Sequence, residues 1–380
     1  MPVNLRALLE EMIEKDASDL HIVAGERPKL RVDGDIVNAS TEEVLTPKDT
    51  LSLAYSVLTE NQKKRFETES ELDFSFGIQN LARFRGNVFK QRGCVSVVIR
   101  QIPFTVKTFN DLGLPAIVAQ LGEKPRGLVL VTGPTGSGKS TTLAAIIDKI
   151  NKELKGHIIT VEDPIEFIHR HQSCIVNQRE VGTDTNSFHA ALKYALRQDP
   201  DVVLVGEMRD LETTASALTI AETGHLAFAT LHTNSAAESI NRIIDIFPAH
   251  QQTQIRTQLS FVLEGVITQT LLQKAKGKGR VMAAEILVVT PAIRALIRDD
   301  KVEQIPSMMQ AGKKHGMQTL NDALYQLYMG REVTKDECLR VTSQPNDFLR
   351  MIGETPPDER EGPSAPGAPQ AGPSKVAARR

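Results

Sequence analysis

Apolar positions change their rhythm along the chain. Leu5, Leu8, Leu9, Met12 and Ile13 recur at helical spacing and predict an amphipathic helix over 4–15. Short apolar runs at Asp19–Val23 and Pro28–Val32, the second closed by Asp33-Gly34, read as strands with a turn. Helical patterns follow at 47–58 and 60–67. Glu71–Gly77, Ala82–Phe89 and Val95–Arg100 then alternate as the three strands of an antiparallel meander. Helices on one face of such a sheet make a small α+β domain over 1–103, and the aperiodic stretch 104–115 reads as a linker.

Beyond residue 116 the pattern alternates strand and helix. Continuous apolar strands at 127–132, 157–161, 202–205 and 226–231 are interleaved with helical patterns at 139–152, 187–197, 211–222 and 235–246. That alternation predicts an α/β domain over 116–290, a parallel sheet covered on both faces, with 266–272 and 281–288 extending it. Residues 291–352 read as a helical appendage. Residues 353–380 are rich in Pro, Gly, Ala and Ser and bury too little apolar surface to fold, so they read as a disordered tail.

Composition narrows the classes. The 380 residues are 41% apolar and 24% charged, as in an ordinary soluble globular chain. The formal net charge of −2 supplies no basic field for nucleic acid, which is therefore not an expected partner. Cys94, Cys174 and Cys338 lie far apart and form no C-x-x-C pair, which favours free thiols over a disulfide or a zinc site. His169, His171 and His189 lack the spacing of a metal site. The N-terminus is too acidic for a signal peptide and no apolar run reaches membrane-span length, so a cytoplasmic location is expected.

The strongest chemistry lies at Gly133-Pro134-Thr135-Gly136-Ser137-Gly138-Lys139-Ser140, which fits G-x-x-x-x-G-K-[ST] and continues into a helix at Thr141. The glycines allow consecutive N–H groups to point at phosphate oxygens, and the helix N-terminus adds positive dipole. Lys139 would reach the β- and γ-phosphates, and the Ser140 hydroxyl would ligate Mg²⁺. A nucleoside triphosphate is the expected ligand.

Remaining groups belong at the carboxyl ends of neighbouring strands. One strand ends in Glu162-Asp163-Pro164-Ile165-Glu166, a second in Gly206-Glu207, a third in His232-Thr233-Asn234. Glu207 stands at a Walker B position and would orient or deprotonate the attacking water, although Gly206 occupies the place of the usual Mg²⁺-binding Asp. Glu162, Asp163 and Glu166 either shape the Mg²⁺ water shell or form an acidic turn. His232 either senses the γ-phosphate or is a hydrogen-bonded strand end. Arg83 and Arg85, two apart on one strand, are either phosphate-neutralising fingers or a solvated face; Arg100 is a weaker case of the same choice.

Together these segments resemble the PilT family of type IV pilus retraction ATPases, within the secretion ATPase superfamily. The resemblance spans roughly residues 4–350. Ser18–His21 and Arg31–Gly34 resemble the family's PAS-like N-terminal domain, and Gly133–Ser140 its Walker A. Val161–Glu166 resembles its Asp box, Leu204–Arg209 its atypical Walker B with glycine in place, and Thr230–Asn234 its His box. Arg83-Phe84-Arg85 matches the arginines that approach the phosphates. Ala292–Arg298 resembles the C-terminal AIRNLIRE motif associated with retraction, with Ala295 in place of Asn and Asp299 in place of the final Glu. On residues alone that stretch is an amphipathic helix with Ile293, Leu296 and Ile297 inward. The segments at Asn321–Tyr328 and Ser343–Asp347 are more similar to the accessory paralogue PilU.

The resemblance implies a RecA/AAA-like P-loop domain behind the PAS-like domain, with ATP and Mg²⁺ as cofactors. It implies a homohexamer acting on an inner-membrane platform protein at the pilus base, with a paralogous retraction ATPase as a further partner. Glu207, Glu166, Arg83, Arg85 and His232 would be catalytic, residues 133–141 would hold nucleotide, and Ser140, Glu162 and Asp163 would hold the metal. The rival readings are an accessory retraction ATPase, a secretion or conjugation ATPase, and a nucleotide-switched scaffold without turnover. The longer N-terminal region and tetracysteine module of pilus-assembly relatives have no counterpart, which counts against an extension motor.

Overall fold

A computed structural model describes residues 3–32, 34–79, 81–102, 106–277 and 279–356. Most of the expected tail, 357–380, lies outside the described residues, as do Asp33 and residues 104–105 of the expected linker.

The first sheet has six strands: β1 Asp19–Ile22, β2 Lys29–Val32, β3 Asp35–Asn38, β4 Glu71–Ile78, β5 Ala82–Gln91 and β6 Cys94–Ile102. They order as β3-β2-β1-β6-β5-β4, with every pair antiparallel. The expected meander is β4-β5-β6. On β5, Ala82, Phe84 and Val88 point into the core while Arg83 and Arg85 are only partly covered on the opposite face, as a period of two requires. Phe84 and Phe74 pack there with Leu9 and Met12 of helix Leu5–Glu14 and Phe66 of helix Glu60–Glu69. Gly86 is obligatory, because a Cβ would strike the Phe74 ring. Strand β3 has no counterpart in the sequence expectation; all four of its residues are exposed, so it carries no alternation to read.

The second sheet has seven strands: β7 Gly127–Thr132, β8 His157–Glu162, β9 Ile175–Glu180, β10 Val202–Val205, β11 Leu226–Leu231, β12 Leu263–Gln273 and β13 Arg280–Val288. The order is β13-β12-β7-β11-β10-β8-β9, parallel from β12 through β9, with β13 antiparallel at one edge. Successive residues of β7 serve opposite faces. Leu128 and Leu130 join one core with Leu218, Ile240 and Ile244, while Val129 and Val131 join another with Leu143, Ile146 and Ile147 of helix Lys139–Glu153. Burial on both faces is why the strand reads as an unbroken apolar run.

Three elements here were not expected from the pattern, the first of them helix Ala116–Gly122. Edge strand β9 alternates Val176 inward with exposed Ile175 and Asn177, and helix Ala249–Val262 is mostly polar. The stretch 106–115 also contains a helical turn, Phe109–Leu112, closed by a Thr108–Asp111 capping box.

The helices after residue 290 divide between two cores. Ile293 and Ile297 of helix Pro291–Arg298, then Val302, Ile305 and Met309, belong to the core of the second sheet. Leu324, Cys338 and Phe348 from helices Leu320–Met329, Lys335–Val341 and Pro345–Met351 pack instead on Leu272 and Ala283 of the β12–β13 hairpin. Residues 353–356, expected to open the tail, include Glu354, whose carboxylate lies 3.0 Å from the Lys335 ammonium. Among the described residues no helix is long and apolar enough to cross a membrane.

Arg294 ties helix Pro291–Arg298 to the end of helix Ala249–Val262. Its guanidinium donates to the Ser260 and Phe261 carbonyls at 2.7 Å each and meets Glu264 at 2.5 Å. These carbonyls at a helix C-terminus have no intrahelical partner. Arg294→Ala is expected to cost about 1–3 kcal/mol of stability, read as a lower midpoint in chemical denaturation; an unchanged midpoint would show the contacts to be idle.

The loop between β8 and β9 half-buries His169, whose main-chain N–H donates to Gln178 at 2.8 Å and whose buried Nδ1 has no partner. Burial pushes its pKa from 6.5 down to about 4, against a weaker pull from Asp148. The unfolded chain therefore binds the extra proton first, and the associated stability is complete above pH 6.5 and lost as pH falls toward 4. Unfolding free energy should drop by at most about 1.4 kcal/mol per pH unit in that window, and by less in His169→Gln. Denaturation series at several pH values test this; parallel curves for the two proteins would refute it.

Candidate nucleotide site

Strand β7 delivers the chain to a loop that only glycines can build. Gly133, Gly136 and Gly138 have φ of +137°, +78° and +90°, and Gly138 caps helix Lys139–Glu153. Above the loop lies a cavity of about 680 Å³ lined by Thr135, Gly136, Gly138, Lys139, Ser140 and Thr141. Lys139 donates to the Gly133 and Pro134 carbonyls at 2.8 and 3.1 Å. Burial lowers its pKa, while the negative charges of Glu207 and Glu166 oppose that shift. Of the expected loop residues, Gly133, Pro134 and Ser137 fall outside the cavity lining, and Ser137 is buried beneath it.

Three strand ends reach the same cavity. Glu207 follows β10 and holds two partners: the Arg209 guanidinium at 2.7 Å and His232 Nε2 at 3.2 Å. Burial raises the Glu207 pKa, but the hydrogen bonds and charges of Arg209 and His232 outweigh it and bring the group below its ordinary value. It is a carboxylate at neutral pH. His232 follows β11 and sets Nδ1 3.5 Å from the Thr135 hydroxyl, so one ring spans the P-loop and the Walker B carboxylate. Gly206 has a packing reason. Its N–H donates to Val161 O at 2.8 Å, and a Cβ there would press on Val161 O and the Glu162 backbone.

The end of β8 contributes Glu162, Asp163 and Glu166 to the lining. Glu162 accepts from Thr160 at 2.6 Å and Gln178 at 3.2 Å; burial raises its pKa and outweighs both hydrogen bonds. Among the described residues, no three or more His, Cys, Asp or Glu groups converge as a self-sufficient metal cage. The oxygen donors available, Ser140 and the three carboxylates, suit a hard cation that completes its shell with water and phosphate.

The arginines divide. Arg85 and its cross-strand neighbour Arg100 line the cavity. Arg83 does not: it donates to Ser75 at 2.9 Å and lies 3.7 Å from Glu180. Expectation set Arg83 beside Arg85 and held Arg100 weaker, yet the register pairs Arg85 with Arg100 across β5 and β6. Spacing along one strand could not show that pairing. Also unanticipated are Arg280 at the start of β13, which lines the cavity, and Glu180 on β9. Glu180 is buried and accepts from Ser75 at 2.7 Å and the Ile165 N–H at 3.2 Å, which joins the two sheets.

Comparison with known proteins identifies the family. Residues 2–340 match the family model described as type II/IV secretion system protein. The type IV pilus retraction ATPase PilT of Pseudomonas aeruginosa is 49% identical over 91% of this chain and 100% of its own. The type IV pilus ATPase PilU of the same organism is 44% identical over 91% and 90%. A crystal structure of the pilus retraction motor PilT with bound ADP superposes with a TM-score of 0.87 at 50% identity, covering 92% of this chain and 99% of that one. The chain belongs to the type II/IV secretion system protein family, within its PilT branch of P-loop ATPases.

Proposed function

We propose that this protein is an ATP-hydrolysing motor, assembled as a homohexamer, that powers type IV pilus retraction. The observation that carries the reading is the convergence of the P-loop, the Glu207–His232 pair and two arginines of the first sheet on one cavity. A relative of nearly the same length is a retraction ATPase, and a similar structure holds ADP. The division into domains at 1–103, 116–290 and 291–352 belongs to the same proposal.

Main-chain N–H groups of the loop and Lys139 bind the phosphates, Lys139 exchanging two loop carbonyls for phosphate oxygens. Glu207, ionised and oriented by His232, accepts a proton from the attacking water. Arg85 and Arg100 offset charge on the transferred phosphoryl group. Ser140, with Glu162 and Asp163, would hold Mg²⁺, which when bound neutralises phosphate charge. Glu166 raises the negative potential around Lys139 and its ammonium charge. The first sheet meets the second through polar contacts at Glu180, so gain and loss of nucleotide contacts would turn one against the other. The work would be delivered to an inner-membrane platform protein from the cytoplasmic side.

The PilU relative, almost as similar over the same span, favours a second reading as an accessory motor that depends on a paralogous ATPase. Deletion separates them, because only a principal motor is sufficient for retraction without its paralogue.

Phosphate release by the purified protein tests the chemistry. Glu207→Gln should retain ATP binding and lose about 10²–10⁴-fold in turnover, whereas Lys139→Ala should lose binding. Mass in solution should correspond to six chains. Undiminished turnover in Glu207→Gln would remove the role assigned to that carboxylate.

A further inference from the structure

The P-loop is gripped from below by a residue of β12 that no motif marks. Gln269 is buried, and lies one position past the Thr268–Thr132 pair that ends the parallel register of β12 and β7. It therefore sits where β7 turns into the loop. Its side-chain amide donates to the Ser137 carbonyl at 2.8 Å in a buried hydrogen bond. A Cβ on Gly133 would fall on the Gln269 carbonyl oxygen, and one on Gly138 would come within 3.2 Å of its amide nitrogen. A single residue thus meets the loop near its start, its middle and its end.

A chain of buried hydroxyls fixes its place. Thr132 and Thr268 are joined at 2.8 Å, Ser239 reaches Thr132 at 3.4 Å, and Thr233 joins Ser239 at 2.6 Å. Thr233 follows His232, so the root of the P-loop and the exit of β11 share one hydrogen-bonded unit. Two buried polar atoms in this region have no partner, Gln269 Oε1 and Ser137 Oγ, an acceptor and a donor.

We infer that Gln269 is a positioning residue for nucleotide binding, holding the main-chain amides of residues 133–138 in their phosphate-binding arrangement. The inference rests on the proposed reading of this cavity as an ATP site. Lys139 braces the same loop from above through the Gly133 and Pro134 carbonyls. When its ammonium turns to phosphate those two bonds are given up, and the Gln269 amide remains as a side-chain brace. Preorganised donors bind an anion better than donors that must first be ordered.

The test uses the full-length protein and compares Gln269→Leu and Gln269→Glu, which remove the amide donor at similar volume, with Gln269→Asn, which keeps an amide on a shorter stem. ADP affinity by calorimetry and the ATP KM and kcat are read for each, beside thermal midpoint and mass. Loss of the brace should raise the ADP Kd and the ATP KM about tenfold in Leu and Glu, with kcat changed far less and with partial recovery in Asn. A purely structural residue would lower the midpoint and leave the Kd of the folded fraction unchanged. Wild-type Kd and KM in folded Leu and Glu variants, or a fall in kcat alone, would overturn the inference; should Leu fail to fold, Glu and Asn decide it. Wild-type protein that binds no ADP would instead overturn the reading of the site, and this inference with it.

Discussion

Everything at this site depends on how closely β12 approaches β7 at the point where the P-loop begins. The two strands run parallel as far as Thr132 and Thr268, whose hydroxyls meet in a buried hydrogen bond. One residue later the backbones are so close that Gly133 has no room for a side chain, and its φ of +137° is one that only glycine adopts readily. That turn aims the loop into the space above the sheet. On the other side of β7 the parallel order β11, β10, β8 brings three successive strand ends to the same height. His232, Glu207 and Glu162 are neighbours because their strands are. A parallel sheet collects its chemistry at the carboxyl edge in this way.

Charge at that edge is arranged in exchangeable pairs. Glu207 is held ionised by Arg209 and His232, and Arg209 is mostly exposed, so its guanidinium can swing into solvent while His232 keeps the carboxylate partnered. Lys139 rests on carbonyls rather than on a carboxylate, an interaction that an incoming phosphate easily outcompetes. Glu162 differs. Its burial and its bonds to Thr160 and Gln178 hold it in place at the end of β8.

What was legible in the sequence follows from which residues lie under two-sided constraint. Strands β7, β8, β10 and β11 bury nearly every side chain, so their apolar runs stand out, and the P-loop glycines are imposed by backbone geometry. Strands β3 and β9 lie at sheet edges, where exposed positions accept almost any residue and erase the alternation. Helix Ala249–Val262 hides similarly behind its run of Gln, Thr and His. The three motif boxes announce their own side chains, but Arg100, Glu180 and Gln269 matter through cross-strand register and tertiary contact. A glutamine in a strand carries no local signal that it will brace a loop 132 positions away.

Arg83 shows how far spacing reaches and where tertiary structure takes over. Its neighbour Arg85 faces the cavity, and a two-residue repeat puts both on the same side of β5. The guanidinium of Arg83 nevertheless turns to Ser75 and the buried carboxylate of Glu180. That carboxylate also accepts the Ile165 N–H, three residues past Glu162, so it belongs to the β8–β9 side of the P-loop sheet. A cation released from such a partner leaves a buried negative charge behind, which costs more than a surface pair would. Arg83 can therefore join Arg85 at the phosphates only if the first sheet moves relative to Glu180 or another donor takes its place. The Ser75 hydroxyl, 2.7 Å from Glu180, and the Thr183 hydroxyl, at 3.2 Å, are already positioned to keep that carboxylate satisfied.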